Sequence, residues 1–216
     1  MTIEIWSDIV CPFCYLGKRK LEKALETFDA DVPITIIYKS FQLMPDIQTQ
    51  PGLSINEFLA REKGISPEQA REMNEYVTKQ AHSLGLDYQL DRAVVANTFR
   101  AHRLLHHANS QGLQSETKER LLRAYFTEGK NIDDNATLLA LADEIGLTEV
   151  QQVLDSDDYA MEVRADQWEA RQLGIKGVPF FVFNRKRAIS GARELSLFSE
   201  TLSQAFSEEN GQSINR

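Results

Sequence analysis

Cys11 and Cys14 are the chain's two cysteines, and they stand two residues apart as Cys11-Pro12-Phe13-Cys14. That spacing suits thiol–disulfide exchange, in which one sulfur attacks a disulfide and the second resolves the mixed disulfide. The thiolate is the nucleophile, and a free cysteine ionises at about 8.5, so only about 3% is ready at neutral pH. A helix N-terminus favours negative charge by roughly 0.3–1 kcal/mol, and by up to about 2 when partly buried. At about 1.36 kcal/mol per pKa unit, the upper figure is worth about 1.5 units, enough to make a thiol there about half thiolate. Cys11 is the sulfur expected at that place, and Cys14, one turn further in, is the resolving thiol. Pro12 suits a first helical turn, where its missing N–H costs nothing.

Other readings of the pair stay open. A CxxC can be half of a zinc site, but zinc takes four ligands and no second cysteine pair exists. The histidines begin only at His82. His102 and His106 lie four apart on one helical face, but no third ligand is signalled, so no metal is expected. The two cysteines could also be buried bystanders. A CxxC between a strand and a helix favours the redox reading.

The elements around the pair are those such chemistry needs. Residues 2–6 read as a strand and 12–28 as a helix whose centre Gly17 weakens; Ile34 to Tyr38 reads as a second strand. Strand, helix and strand form a right-handed unit if the strands are parallel. Phe41 to Leu53, with Pro45, Pro51 and Gly52, reads as a loop. From Ser54 to about Leu154 only helix signals appear. Ser54 with Glu57 forms a capping box for a helix ending near Gly64, and Ser66-Pro67-Glu68-Gln69 opens one ending near Gly85. Ala93 to Ala108 and Ser115 to Glu128 carry helical spacing. Asp134 caps a helix to Ile145 with Gly146 beyond it, and Thr148 caps a short one. Asp157 or Asp158 opens a helix to Leu173. Phe180 to Phe183 is apolar throughout, as a strand buried on both faces should be. It turns at 184–186 into a hairpin strand, 187–190. Glu194 to Phe206 is a last helix, and 208–216 reads as frayed.

The 216-residue chain carries a net charge of −8 with no basic cluster, which argues against nucleic acid. No apolar run reaches about 18 residues, so no membrane span is expected. No basic-then-apolar segment precedes the first strand, so no signal peptide is expected and the compartment reads as the reducing cytoplasm. There a cysteine pair is more often catalytic than structural.

This layout, with Cys11-Pro12-Phe13-Cys14 at the first helix and Gly177-Val178-Pro179 before the third strand, resembles the thioredoxin superfamily. The helical insertion resembles the DsbA family. Ser7-Asp8, Tyr15, Gly17, Asn97-Thr98, Ala101-His102-Arg103-Leu104 and Gly174-Ile175 resemble its FrnE-like branch, and related 2-hydroxychromene-2-carboxylate isomerases and kappa-class glutathione transferases. The resemblance implies an α/β, thioredoxin-like fold with a large all-helical insertion: residues 1–48 and 156–216 as the discontinuous thioredoxin-like domain, 49–155 as the insertion. It implies that Pro179 is cis beside Cys11, with the Val178 backbone pairing with an extended substrate. Asn97 and Thr98 would face the site from the insertion. Many thioredoxin-like proteins place a buried carboxylate six residues before the first cysteine; here that position is Ile5, and Asp8 is the nearest alternative for proton transfer. Phe13 stands where strongly oxidising DsbA proteins have a histidine, which implies a less oxidising couple.

These readings converge on a cytoplasmic thiol–disulfide oxidoreductase or isomerase. Its substrates are protein or small-molecule thiols and disulfides; no cofactor is bound, and glutathione is a candidate co-substrate. Phe13, Trp6 and Phe41 are expected as an apolar rim, with Pro12, Phe13, Val178, Pro179, Asn97 and Thr98 against substrate. A glutathione-dependent isomerase or transferase on the same fold is the alternative, against which the intact cysteine pair speaks. A redox-inactive binding module or chaperone is the other. Oligomeric state is not written in the sequence.

Overall fold

A computed structural model describes residues 1–29, 33–209 and 211. Its centre is a four-stranded sheet in the order β2-β1-β3-β4. Strand β1 (Thr2–Ser7) pairs parallel with β2 (Thr35–Ser40) and antiparallel with β3 (Phe180–Phe183), which pairs antiparallel with β4 (Arg187–Ser190). The period-2 alternation of a strand sends Ile3 and Ile5 to one face and Glu4 and Trp6 to the other. Ile3 and Ile5 meet Phe181 and Phe183, together with Leu21 and Ala24 of α1 (Pro12–Glu26) and Phe198 and Leu202 of α9 (Leu195–Glu209). Trp6 meets Val182, Ile175 and Ala170, the last on α8 (Ala160–Gln172). The sheet is thus covered by α1 and α9 on one face and by α8 on the other. This is the α/β, thioredoxin-like core that the resemblance implies.

Between β2 and α8 stand α2 (Ile55–Lys63), α3 (Pro67–Ser83), a 3-10 turn at Leu90–Arg92, α4 (Phe99–Ser110), α5 (Gln114–Phe126), α6 (Asn135–Glu144) and α7 (Val150–Asp155). They share a core that runs from Val77 through Leu104, Leu122 and Phe126 to Leu154. Three residues near the cysteines, Ile9, Tyr15 and Leu16, belong to this helical core rather than to the sheet's. Helix α1 therefore serves both bodies: Tyr15 and Leu16 face the helices, and Leu21 and Ala24 face the sheet.

Several element boundaries differ from the sequence expectation, each for a local reason. Helix α4 begins at Phe99, not Ala93. Ala93 is extended, Val95 bridges Gln50, and the Asn97 side chain accepts the Phe99 N–H at 2.8 Å. Ser54 accepts from Asn56 rather than Glu57, so the expected box is not formed, whereas Ser66 and Gln69 form theirs. Thr148 caps nothing; its carbonyl accepts from His107, and α7 starts after Glu149. Helix α8 starts after Tyr159, because Asp157 and Asp158 are held in the preceding turn, where Asp157 O accepts the Ala160 N–H. Helix α9 continues through Glu208 and Glu209 instead of fraying there. Residues 210 and 212–216 of the expected frayed tail lie outside the described residues.

Candidate active site

Cys11 is the N-cap of α1, with extended backbone, and Pro12 takes the first helical position. The Cys14 N–H donates to the Cys11 carbonyl at 3.0 Å, closing the first turn. Both thiols are free, and both are buried, at 4% and 3% exposure. Phe13 between them is 43% exposed, and Leu43 is exposed to the same degree. Cys11 Sγ donates to the Val178 carbonyl at 3.4 Å, and the Val178–Pro179 peptide bond is cis. Tyr88, from the helical body, donates its hydroxyl to Pro12 O at 2.7 Å and so ties down the start of α1.

Gly17 sets how close α1 can lie to this corner. A Cβ on it would stand 2.9 Å from Phe181 Cζ and 3.0 Å from Pro179 Cγ. The glycine that weakens the helix in isolation is what lets α1 press against β3 and Pro179.

The surroundings of the two sulfurs differ. Burial pushes the Cys14 thiol well above the ordinary cysteine range, and a hydrogen bond to Cys11 and the charge there push the same way. The positive charge of Lys118 and the backbone N–H of Asp8 pull it back in part. Asp8 is itself buried, and its carboxylate is saturated. Oδ1 accepts from Ile9 N at 2.8 Å and lies 3.2 Å from His102 Nε2, while Oδ2 accepts from Leu43 N at 2.8 Å. Burial alone would raise its pKa, but the hydrogen bond and charge of His102, with Leu43 N–H and the Thr98 hydroxyl, hold it below the usual carboxylate range. Burial pushes His102 down despite Asp8. The pair is therefore a carboxylate accepting from a neutral imidazole that carries its proton on Nε2.

Lys118, on α5, was not signalled by any motif. It is 1% exposed, its Nζ has no hydrogen-bond partner, and it lies 5.8 Å from the centre of the Tyr38 ring. Burial brings its pKa down to about 8, against the opposing pull of Cys14, Asp8 and Cys11. The sequence does hold a trace of it. Lys118, Leu121, Leu122 and Tyr125 share one helical face, and a lysine on an apolar stripe is a lysine in the core.

Other expected residues lie elsewhere. Trp6 is fully buried, with its Nε1 donating to Asp166 O at 3.1 Å, so it is no part of an exposed rim; Phe41 packs partly buried beside it. Ile5 is in the sheet core. Asn97 uses its amide inside the protein: Nδ2 donates to Pro45 O and Ile47 O, and Oδ1 accepts from Gln42 and Phe99. It also edges an open groove of about 650 Å³ with Gln42, Arg100, Asp133, Arg164 and Gln167, which neither cysteine lines. Thr98 is buried, accepts from Gln42 and reaches Asp8. His106 bonds Ser40 and Asp166, away from His102's partner. Among the described residues no three His, Cys, Asp or Glu side chains converge as a metal site, and no helix is long and apolar enough to cross a membrane.

Residues 2–203 match the model of the DSBA-like thioredoxin domain. The chain is similar to a probable DsbA oxidoreductase from Streptomyces coelicolor, at 38% identity and a TM-score of 0.90 over 96% of this chain and 91% of that one. It is similar to the uncharacterized protein YwbO of Bacillus subtilis, at 26% identity over 93% of this chain and 95% of that one. Its fold is also that of the cytosolic disulfide reductase DsbM from Pseudomonas aeruginosa, solved with GSH. That match has 19% identity and a TM-score of 0.65 over 98% of each chain.

Proposed function

The chain belongs to the family of DSBA-like thioredoxin domains, and from that premise we propose that this thiol–disulfide oxidoreductase attacks with Cys11 and resolves with Cys14. The observation that carries the assignment is the asymmetry of the pair. Cys11 caps α1 beside Val178, while Cys14 sits one turn behind it with its thiol held protonated by burial. The Cys11 thiolate attacks one sulfur of R–S–S–R′, and R′–S⁻ leaves. The Cys14 thiolate then attacks Cys11 Sγ, R–S⁻ leaves, and the protein is left with a Cys11–Cys14 disulfide. Run backwards, the same steps reduce the protein and oxidise a dithiol.

Pro12, Phe13, Val178 and Pro179 form the substrate contact, with the exposed Phe13 ring and Leu43 as its apolar rim and the Val178 backbone pairing with an extended chain. Asn97 and Thr98 act on substrate choice at one remove, by holding residues 42–49 against the site. Asp8 is a fixed anion rather than a proton carrier, because its acceptor positions are filled. Residues 49–155 act as the insertion that walls the site built on 1–48 and 156–216. Action in the cytoplasm and glutathione as co-substrate extend the proposal from the shared fold with DsbM.

The test is a trap. Cys14→Ser should hold a stable mixed disulfide with a disulfide-bearing peptide, and with oxidised glutathione. Cys11→Ser should hold none. Adducts at Cys14 and not at Cys11 reverse the assignment, and a peptide adduct without a glutathione adduct removes glutathione from it.

A further inference from the structure

Cys14 must ionise to resolve a mixed disulfide, yet burial opposes its charge. We infer that the Lys118 ammonium is the buried counter-charge that allows Cys14 to become a thiolate, a positioning role supplied from the helical body. The inference rests on Cys14 being the resolving thiol.

Geometry carries it. A lysine with its Nζ buried and unpartnered is costly unless a charge nearby repays it. The charges acting on Lys118 include Cys14, Asp8, Cys11 and Lys18, and the Tyr38 ring lies 5.8 Å from its Nζ. The adjacent Glu119 bonds Tyr15 and Lys18, which fixes this part of α5 against the turn that holds Cys14. Lys18 is already held by Glu22 and Glu119. The Asp8 carboxylate is taken up by His102 and two backbone N–H groups. His102 is neutral. Of the charges that act on Lys118, Cys14 is the strongest, ahead of Asp8 and Cys11. The lowered pKa of Lys118, about 8, is that of a cation whose burial these charges repay only in part.

The proton balance is simple. Cys14–SH loses a proton to solvent and becomes Cys14–S⁻ beside Lys118–NH3⁺. The thiolate attacks Cys11 Sγ, the S–S bond to R breaks, and R–S⁻ takes a proton from solvent. In the resulting disulfide form neither sulfur can carry charge, so Lys118 loses the pull of Cys14 and Cys11 that raises its pKa in the reduced form.

The experiment uses 5,5′-dithiobis(2-nitrobenzoate) on the reduced full chain. The first thionitrobenzoate released reports attack by Cys11, and the second reports resolution by Cys14. In Lys118→Met, of similar length and without charge, the second release should slow about tenfold at neutral pH, as for a one-unit rise in the Cys14 midpoint. The first release should change less. Lys118→Arg should return the second release toward wild type. An unchanged second step in Lys118→Met overturns the inference, as does slowing of both steps by one factor. Should either variant not fold, 13Cε-lysine spectra of the wild type decide. One lysine should titrate near 8 in the reduced protein and lower in the disulfide form, and equal midpoints overturn the inference. A wild type that releases fewer than two equivalents overturns the underlying assignment of the pair. Two equivalents, with a Lys118→Met that resolves normally, overturn only Lys118.

Discussion

Cys11 and Cys14 share a helical turn but not an environment. Burial and the neighbouring sulfur favour the protonated Cys14 thiol. In single-cysteine variants at neutral pH, Cys11 should therefore react with iodoacetamide at least about tenfold faster than Cys14, as one pKa unit implies. Equal rates would remove the asymmetry on which their roles rest. Phe13, exposed between them, offers neither charge nor donor. Phe13→His should make the couple more oxidising, by about 30 mV for each 1.4 kcal/mol gained at the thiolate. Equilibration with glutathione buffers measures it, and no shift or a more reducing one sinks the idea. The Asp8–His102 pair predicts a dependence on acid. Both folded pKa values are lowered, so the unfolded chain binds more protons, first below about pH 6.5 at the histidine and then below about 3.9 at the carboxyl. The pair's stabilisation is complete above those values and is lost as pH falls through the lower folded ones. His102→Gln should flatten the melting temperature between about pH 6.5 and 4; an unchanged slope would place the acid limb elsewhere. The cysteine pair was legible because its meaning is local. The partnership of Asp8 with His102 spans 94 residues, and Lys118 is farther still, so neither could be read from spacing along the chain.

At the scale of elements, Gly17 is the point where helix propensity and packing disagree. Alanine would favour an isolated helix by about 0.8–1 kcal/mol. Here its methyl would meet Phe181 and Pro179 below normal contact, and overpacking costs about 1–3 kcal/mol. Gly17→Ala should lower the melting temperature by roughly 2–4 °C, for a net loss of about 1 kcal/mol in a chain of this size. A rise would show that α1 can back away from β3. The strands and most helices were readable, because alternation, caps and terminal glycines are short-range signals. The start of α4 was not. Val94 and Val95 fit a helical stripe as well as an extended bridge, and the choice is made by Gln50 and by the Asn97 amide, which answers to Pro45 and Ile47. Asn97→Ala should accordingly raise amide exchange across residues 45–50 while leaving Cys11 alkylation within about threefold, the usual range for a change away from the nucleophile. Exchange confined to its wild-type level would mean that the loop is held by other contacts.

For the whole molecule, the sheet and the helices are not independent bodies. The pattern of two apolar sheet segments suggests a core that could stand without the insertion, but Ile9, Tyr15 and Leu16 are buried in the helical core. Tyr15, Lys18 and Arg19 also bind Glu119 on α5. Thermal unfolding should therefore be a single transition with equal calorimetric and van't Hoff enthalpies; two resolved transitions would show separable domains. A sequence pattern gives each segment's period but not which face meets a distant neighbour, so this sharing of α1 lay beyond it. It bears on how such a protein can be re-engineered. Trimming residues 49–155 to obtain a minimal redox module would strip the cover from Ile9, Tyr15 and Leu16, release Pro12 from Tyr88, and leave Cys14 without Lys118. The cysteine motif is not a portable cassette: a graft that carries the catalytic turn must carry the far wall of its helix as well.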